Sequence, residues 1–309
     1  MTGAALQVLV VLAVSPVLVG LMRQVRARLE GRAGAGLAQP WRDLRKLLRR
    51  QPCTPAGTGW PFRLAPLVLV ATSVVVAAVV PLLITASPLG RAADLFAVVG
   101  LLALGTVTLA LAALDTGTAF GGMGASREMA VLALVEPTIL VAVFALCARV
   151  GSTNLGAIVT ATLHQPQRVV SPASLLAAVA LLVITVAETG RLPVDNPATH
   201  LELTMIHEAM VLEYAGADLA LVELAASMRL TVLLGLLASL FAPWGIAAGG
   251  LAGLPVALVA LLGKVALLGA GLAAAEVFLA KLRLFRVPEL LAGSFVLALL
   301  AVAASFFLV

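Results

Sequence analysis

Apolar residues run along this chain in long unbroken stretches of Ala, Leu and Val, and the polar positions gather in a few segments between them. Such runs fit helices that cross a bilayer, because roughly 20 mostly apolar residues span about 30 Å of hydrocarbon. A backbone in lipid must satisfy its own hydrogen bonds, which leaves helices or a closed barrel. A barrel would show short strands of alternating polarity instead. The pattern predicts an all-α integral membrane protein with about eight transmembrane helices, over 2–22, 64–86, 92–114, 128–149, 172–189, 219–242, 254–280 and 289–308. No internal repeat is evident, so the inverted-repeat signature of many carriers is missing. The whole of 1–309 reads as a single polytopic membrane domain.

Composition sharpens this. Of 309 residues, 62% are hydrophobic and 11% charged, whereas a soluble domain carries about 25% charged residues. The net charge of +5 does not mark nucleic-acid binding, because the basic residues sort by membrane side. Arg23, Arg26, Arg28, Arg32, Arg42, Arg45, Lys46, Arg49, Arg50 and Arg63 follow the first span. Eight spans put Arg127, Arg191, Lys281, Arg283 and Arg286 on that same side, and only Arg91, Arg149 and Arg168 on the other. By the positive-inside rule the basic side is cytoplasmic and both termini lie outside the plasma membrane. The first run lacks a basic segment ahead of it, so it reads as an uncleaved anchor rather than a signal peptide.

Two cytoplasmic segments stand out. In 23–63, the stretch GRAGAGLAQPWRDLRKLLRRQP allows a helix opened by Pro40, with Trp41, Leu44, Leu47 and Leu48 on one face and Arg42, Arg45, Arg49 and Arg50 around the rest. Such a basic amphipathic segment lies on anionic lipid headgroups, docks a soluble partner, or does both. The other is the acidic loop 188–218, ETGRLPVDNPATHLELTMIHEAMVLEYAGAD. Pro193 and Pro197 make its start irregular, and Thr199 with Glu202 has capping-box spacing. His200 and His207, seven residues apart, share a helix face; they titrate, pair with carboxylates or touch a neighbouring subunit. HEAMV is not the HExxH of zinc proteases, and no metal site is expected. Glu208 joins them as a loop contact. Gly121, Gly122 and Gly124 read as a tight loop between spans three and four.

Ionisable residues within spans are costly, so each is a functional candidate. Glu136 precedes Pro137, whose missing N–H can kink the helix and admit water. Glu223 and Arg229 fall in the sixth span, Lys264 and Glu276 in the seventh, and Glu188 closes the fifth. Either they relay protons or they form static ion pairs; Glu223 and Glu276, near span ends, can also snorkel to the interface. Cys53 and Cys147 are far apart and form no CxxC, so they read as a loop thiol and a buried small apolar residue. No P-loop, dinucleotide fingerprint or nucleophile elbow is present.

The loop carries a resemblance. Glu188 to Arg191 (ETGR), Pro193, Asp195, Pro197, Glu202, Leu203 and Glu213 to Gly216 (EYAG) resemble the signature loop of the complex I subunit 1 family. Upstream, Gly34, Gly36, Leu37, Gln39, Pro40, Asp43, Lys46, Leu47 and Leu48 match a second motif of that family. The wording of the loop is similar to the hydrogenase branch, the formate hydrogenlyase subunit 4 type. Asn196, His200 and three extra residues between Glu202 and Glu213 depart from the quinone-reductase pattern.

The resemblance implies a subunit that anchors a cytoplasmic arm of hydrogenase-like large and small subunits and an iron–sulfur protein. It implies lateral contact with antiporter-like membrane subunits. The [NiFe] centre and iron–sulfur clusters would belong to those partners, and this chain would bind no cofactor. Glu188, Arg191, Asp195, Glu202 and Glu213 would form the entry of a proton or ion pathway, and Gln39, Pro40, Asp43 and Lys46 a docking surface. Glu136, Glu223, Arg229 and Lys264 enter the pathway only because burying their charge is costly. A quinone-binding subunit of a respiratory complex is the alternative, and a standalone ion carrier the more distant one.

Overall fold

A computed structural model describes residues 2–85, 90, 92–195, 205–247 and 253–307. Eleven α-helices lie among them: α1 (Thr2–Leu29), α2 (Gln39–Leu48), α3 (Trp60–Val79), α4 (Leu95–Asp115), α5 (Ala119–Val150), α6 (Leu155–His164), α7 (Pro172–Glu188), α8 (His207–Val211), α9 (Gly216–Phe241), α10 (Leu254–Phe278) and α11 (Val287–Phe307). Among the described residues strand-like pairing is limited to two single bridges, Ile84 with Ala247 and Asp94 with Asn154.

Among the described residues, seven helices are long and apolar enough to cross a membrane: α1, α3, α4, α5, α9, α10 and the helix ending at Phe307. The eighth expected span, α7, has 17 residues. Its ends nevertheless reach opposite ends of the bundle. Arg149 near the end of α5 donates to Ser174 Oγ at 3.0 Å near the start of α7. Just past its other end, Arg191 meets Glu276 in the last turn of α10 at 3.5 Å. Among the described residues, α7 thus runs between the two ends of the bundle as the seven longer helices do, in fewer turns.

Local chemistry sets the boundaries. Pro61 lies in the first turn of α3, where its missing N–H costs nothing, and Pro81 follows just after the helix ends. The side chain of Thr118 accepts from Gly121 N at 3.2 Å and starts α5 at Ala119, nine residues before the expected span. The glycines expected in a loop therefore lie inside a helix. The reason is packing. A Cβ at Gly124 would stand 2.9 Å from Ala209 Cβ and from Ile206 O, so the missing side chain lets α8 lie directly on α5. The helix α6 was not expected; at about 15 Å it is too short to span. It buries Leu155, Ile158 and Val159 in the core.

The central element is α9, which packs on α1, α2, α3, α6, α7 and α10, with Met228, Leu230 and Leu234 buried. The outward apolar side chains, such as Val259 and Leu267 on α10 and Phe306 on α11, face the surroundings of the bundle. The short helix α2 is strongly amphipathic; its Pro40 and Leu44 are buried while Leu48 is exposed. Leu48 thus leaves the apolar face expected of it, because the helix ends there and Arg49 caps it.

A charged network joined to two cavities

The loop after α7 folds back tightly. Gly190 and Arg191 donate to the carbonyls of Ala187 and Val186 at 3.1 and 3.0 Å, and Asp195 N donates to Arg191 O at 3.1 Å. This brings the Asp195 carboxylate, only 2% exposed, onto two other segments. Its Oδ2 accepts from the backbone N–H groups of Ile206 and His207, both at 3.1 Å, and Lys281 Nζ donates to Oδ1 at 3.1 Å. The negative charge meets the open N–H groups that begin α8, which is where a helix favours an anion. Leu282 N donates to Pro193 O at 2.9 Å and closes the linker between α10 and α11 over the same loop.

Two further acids are buried against arginines. Glu276, 3% exposed, faces Arg191 at 3.5 Å and Arg26 at 3.9 Å. Snorkelling is therefore not its role. Glu188 pairs with Arg229 halfway along α9, and Arg229 Nη2 also donates to Leu102 O at 2.5 Å. Burial of such pairs is tolerated only when the ions meet partners, because each loses its hydration. Arg127 at the start of α5 donates to Met205 O at 2.9 Å and holds the front of α8.

Two spaces flank this network. An open cavity of about 510 Å³ lies between α1, α2, α8 and α9, with Arg23, Arg26, Arg191, Glu208, Glu223 and Glu276 on its wall. A smaller inner one, about 50 Å³, lies between α3, α4, α5 and α9, and Glu128, Glu188, His207 and Arg229 line it with Thr72 and Thr106. His207, half-buried, has its pKa pulled below the ordinary imidazole value mainly by loss of water; Asp195 works against this and Arg229 adds to it. Burial also lowers Arg191, with Glu276 opposing.

The structure brings Glu188, Arg229, Arg191, His207, Glu208 and Glu223 to these two spaces, with Asp195 bonded to the backbone beside them. Glu213 lies between α8 and α9 outside them, half-exposed. Its neighbour Tyr214 donates to Phe62 O at 2.9 Å and stacks on the Phe62 ring with centroids 4.2 Å apart, tying the loop to α3. Glu136 lines neither cavity; its buried Oε1 has no hydrogen-bond partner among the described residues. Lys264 lies at the opposite end, where it donates to the carbonyls of Ala242 and Trp244. Of the α2 quartet, Gln39 donates to Asp43 at 2.9 Å, Asp43 faces Arg23 at 3.7 Å, Pro40 is buried and Lys46 is exposed. Thr199, His200 and Glu202 fall outside the described residues. Among the described residues no group of three or more His, Cys, Asp or Glu could hold a metal. Cys53 is exposed and Cys147 buried, as their surroundings in the sequence suggested.

Sequence reasoning missed Glu128. With the span expected to begin at that residue, Glu128 read as a boundary charge; with α5 beginning at Ala119, it sits roughly 14 Å along the helix. The N-cap signal at Thr118 was the available clue.

Comparison with known proteins agrees with this architecture. A family model described as NADH dehydrogenase matches residues 2–307. The chain belongs to the complex I subunit 1 family. Within that family it is 36% identical over 300 residues to formate hydrogenlyase subunit 4 of Escherichia coli K12, covering 96% of this chain and 95% of that one. Hydrogenase-4 component C of the same organism is 37% identical over 300 residues, covering 96% and 93%. NADH-quinone oxidoreductase subunit 8 of Rhodothermus marinus is 27% identical over 237 residues, covering 73% and 68%. A chain in the solved structure of an archaeal respiratory membrane complex, the membrane-bound sulfane sulfur reductase, superposes with a TM-score of 0.83 over 98% of both chains at 20% identity, which shows a shared fold. This family member is therefore a multi-pass membrane protein. It is more similar to the two hydrogenase subunits than to the quinone oxidoreductase subunit.

Proposed function

We propose that this chain is the membrane-anchoring and coupling subunit of a hydrogenase-like complex. It docks a cytoplasmic redox arm and links electron transfer to translocation of protons or Na⁺. One observation carries this reading: the loop that resembles the family signature supplies one member to each of three buried ion pairs, Asp195 with Lys281, Arg191 with Glu276 beside a surface cavity, and Glu188 with Arg229 midway along α9. Charge arriving at the surface meets buried, paired ionisable groups through which to act on the membrane interior. The basic end of the bundle, with α2, is the cytoplasmic side of the plasma membrane, so both termini lie outside.

In this reading the partners are a large and a small hydrogenase-like subunit, an iron–sulfur protein and antiporter-like membrane subunits. The [NiFe] centre and the clusters sit in the arm; a single exposed cysteine and a single buried one fit no four-cysteine cluster here. Annular lipid meets the outward apolar faces. Purification in mild detergent, followed by mass spectrometry of what co-purifies, tests this. A large subunit with two CxxC pairs is expected. Recovery of this chain alone, folded and competent in ion transport, overturns the anchoring role in favour of a standalone carrier.

A second reading is favoured by the open cavity, whose 510 Å³ is in the range of small-molecule sites, about 300–1,000 Å³. Val19, Met22 and Leu44 offer apolar walls to a quinone ring, and Arg191 and His207 offer donors to its oxygens. A bound quinone would supply two-electron, two-proton acceptor chemistry there. Quinone-dependent turnover blocked by cavity-filling substitutions such as Ala226→Trp would decide for it.

A further inference from the structure

The two cavities share part of their linings: Thr189, His207, Val222 and Ala226. Val222 and Ala226 carry no polar side-chain atom. Thr189 donates its hydroxyl back to Thr185 O at 2.6 Å and is committed to its own helix. Among the described residues, His207 is thus the titratable side chain that faces both spaces. The inner space of about 50 Å³ has room for a few waters at roughly 15 Å³ each, and its polar walls give them partners. The outer one is open to bulk water.

We propose that His207 transfers protons between the open cavity and the inner one, with Glu128 as the inner acceptor. The inference rests on the coupling role proposed above and names the residue through which the buried charges reach water. In the inward step the imidazolium N–H bond breaks and an O–H bond forms on the Glu128 carboxylate, directly or through one water. The neutral ring then takes a proton from hydronium in the open cavity or from a protonated Glu208 or Glu223. The outward step is the reverse, so no other reactant is needed.

Glu128 is preferred over Glu188 for a physical reason. Protonating Glu188 would leave the Arg229 guanidinium without its anion, whereas Glu128 forms no ion pair among the described residues. The charges around His207 are mixed. From α5 it faces Arg127 and Glu128, and from the end of α7 and its loop Glu188, Arg191 and Asp195. On α9 it faces Glu223 and Arg229, and Glu208 is its own neighbour. Asp195 pins the His207 backbone through its N–H, which fixes where the ring is anchored.

The test uses the complex as purified, in two parts. The chain has three histidines, His164, His200 and His207, so isotopic labelling of histidine gives resonances that single substitutions assign. The His207 signal is expected to titrate in water-exchangeable fashion and to shift its midpoint in Glu128→Gln. A ring silent between pH 4 and pH 8, or blind to Glu128→Gln, overturns the transfer role without touching the coupling role. In vesicles, His207→Gln is expected to lower ions moved per turnover by about tenfold or more, while His207→Glu, which still titrates, restores part of it. Should the Gln variant fail to assemble, Ala226→Leu narrows the same wall from α9 and is expected to lower the ratio too. An unchanged ratio in His207→Gln, or in Ala226→Leu where only that assembles, overturns the proposal. No ion movement in wild-type vesicles that turn over overturns the coupling role itself.

Discussion

The two ends of the bundle differ in where buried ion pairs form. At the end where both termini lie, buried polar side chains satisfy backbone. Gln7 donates to the carbonyls of Ala77 and Val80 at 2.6 and 2.7 Å and accepts from Leu83 N at 3.0 Å. Asn154 donates to Gly90 O and accepts from Ala157 N, and Lys264 covers the carbonyls after α9. At the other end, side chains pair with side chains: Glu188 with Arg229, Glu276 with Arg191 and Arg26, Asp195 with Lys281. Backbone partners are fixed by the fold, so the first kind of contact is static. A pair of ionisable side chains beside water can lose or gain a proton, so the second kind can respond to charge. The two cavities that carry both acids and bases on their walls lie at the responsive end.

The sharpest way to break this contrast is Glu188→Ala. It leaves the Arg229 charge buried without its anion, and loss of about 3–5 kcal/mol is expected. Glu188→Gln keeps a hydrogen-bond acceptor and is expected to lose less. Thermal unfolding of both variants in the same detergent reads the difference. At the static end, Gln7→Leu removes three buried backbone contacts and is expected to cost about 2–3 kcal/mol. Its ion movement per turnover, however, is expected to match wild type. A Gln7→Leu complex that assembles but fails to couple would show that the two ends are not separable.

How much of this was readable beforehand differs between the ends as well. Because lipid leaves the backbone few options, long apolar runs located seven of the spans and the short α7, with the start of α5 misplaced by nine residues. Glu188, Arg191 and Asp195 were marked by their motif, and in the structure each is buried against a different partner, Arg229, Glu276 and Lys281. The register of α5 was missed, since Gly121, Gly122 and Gly124 look like a loop until α8 is seen to need a helix without side chains there. That error hid Glu128. Glu276 read as a residue free to reach the interface, because no linear pattern shows that Arg26 and Arg191, far apart in sequence, converge on it. Gln39 and Asp43 belong to the second family motif, yet their side chains engage each other and Arg23; a motif names the residues without naming their partners.

Acidity offers a smaller and more selective perturbation. His207 has a folded pKa below its ordinary value, chiefly through desolvation. The unfolded chain therefore binds more protons than the folded one in the interval below about pH 6.5. Its contribution to stability is complete above that value and declines as pH falls through it, by at most about 1.4 kcal/mol per pH unit. His207→Gln is expected to remove this share of the acid sensitivity. Unfolding midpoints followed from pH 7.5 to pH 5 in both proteins check it, and parallel curves would mean that His207 is not the titrating group.

The smallest expected effect is the most informative about Lys264. A lysine about ten residues into an apolar helix invites a place in an ion pathway. Its ammonium instead sits over the carbonyls of Ala242 and Trp244, where α9 has ended and those oxygens lack helical donors. A cation at a helix C-terminus contributes about 0.3–1 kcal/mol. Lys264→Met is therefore expected to lower stability by that amount and to leave ions moved per turnover unchanged. Loss of coupling with stability intact would move Lys264 from the static end of the comparison to the responsive one. The proposed pathway would then have to cross the full width of the bundle, past Arg229.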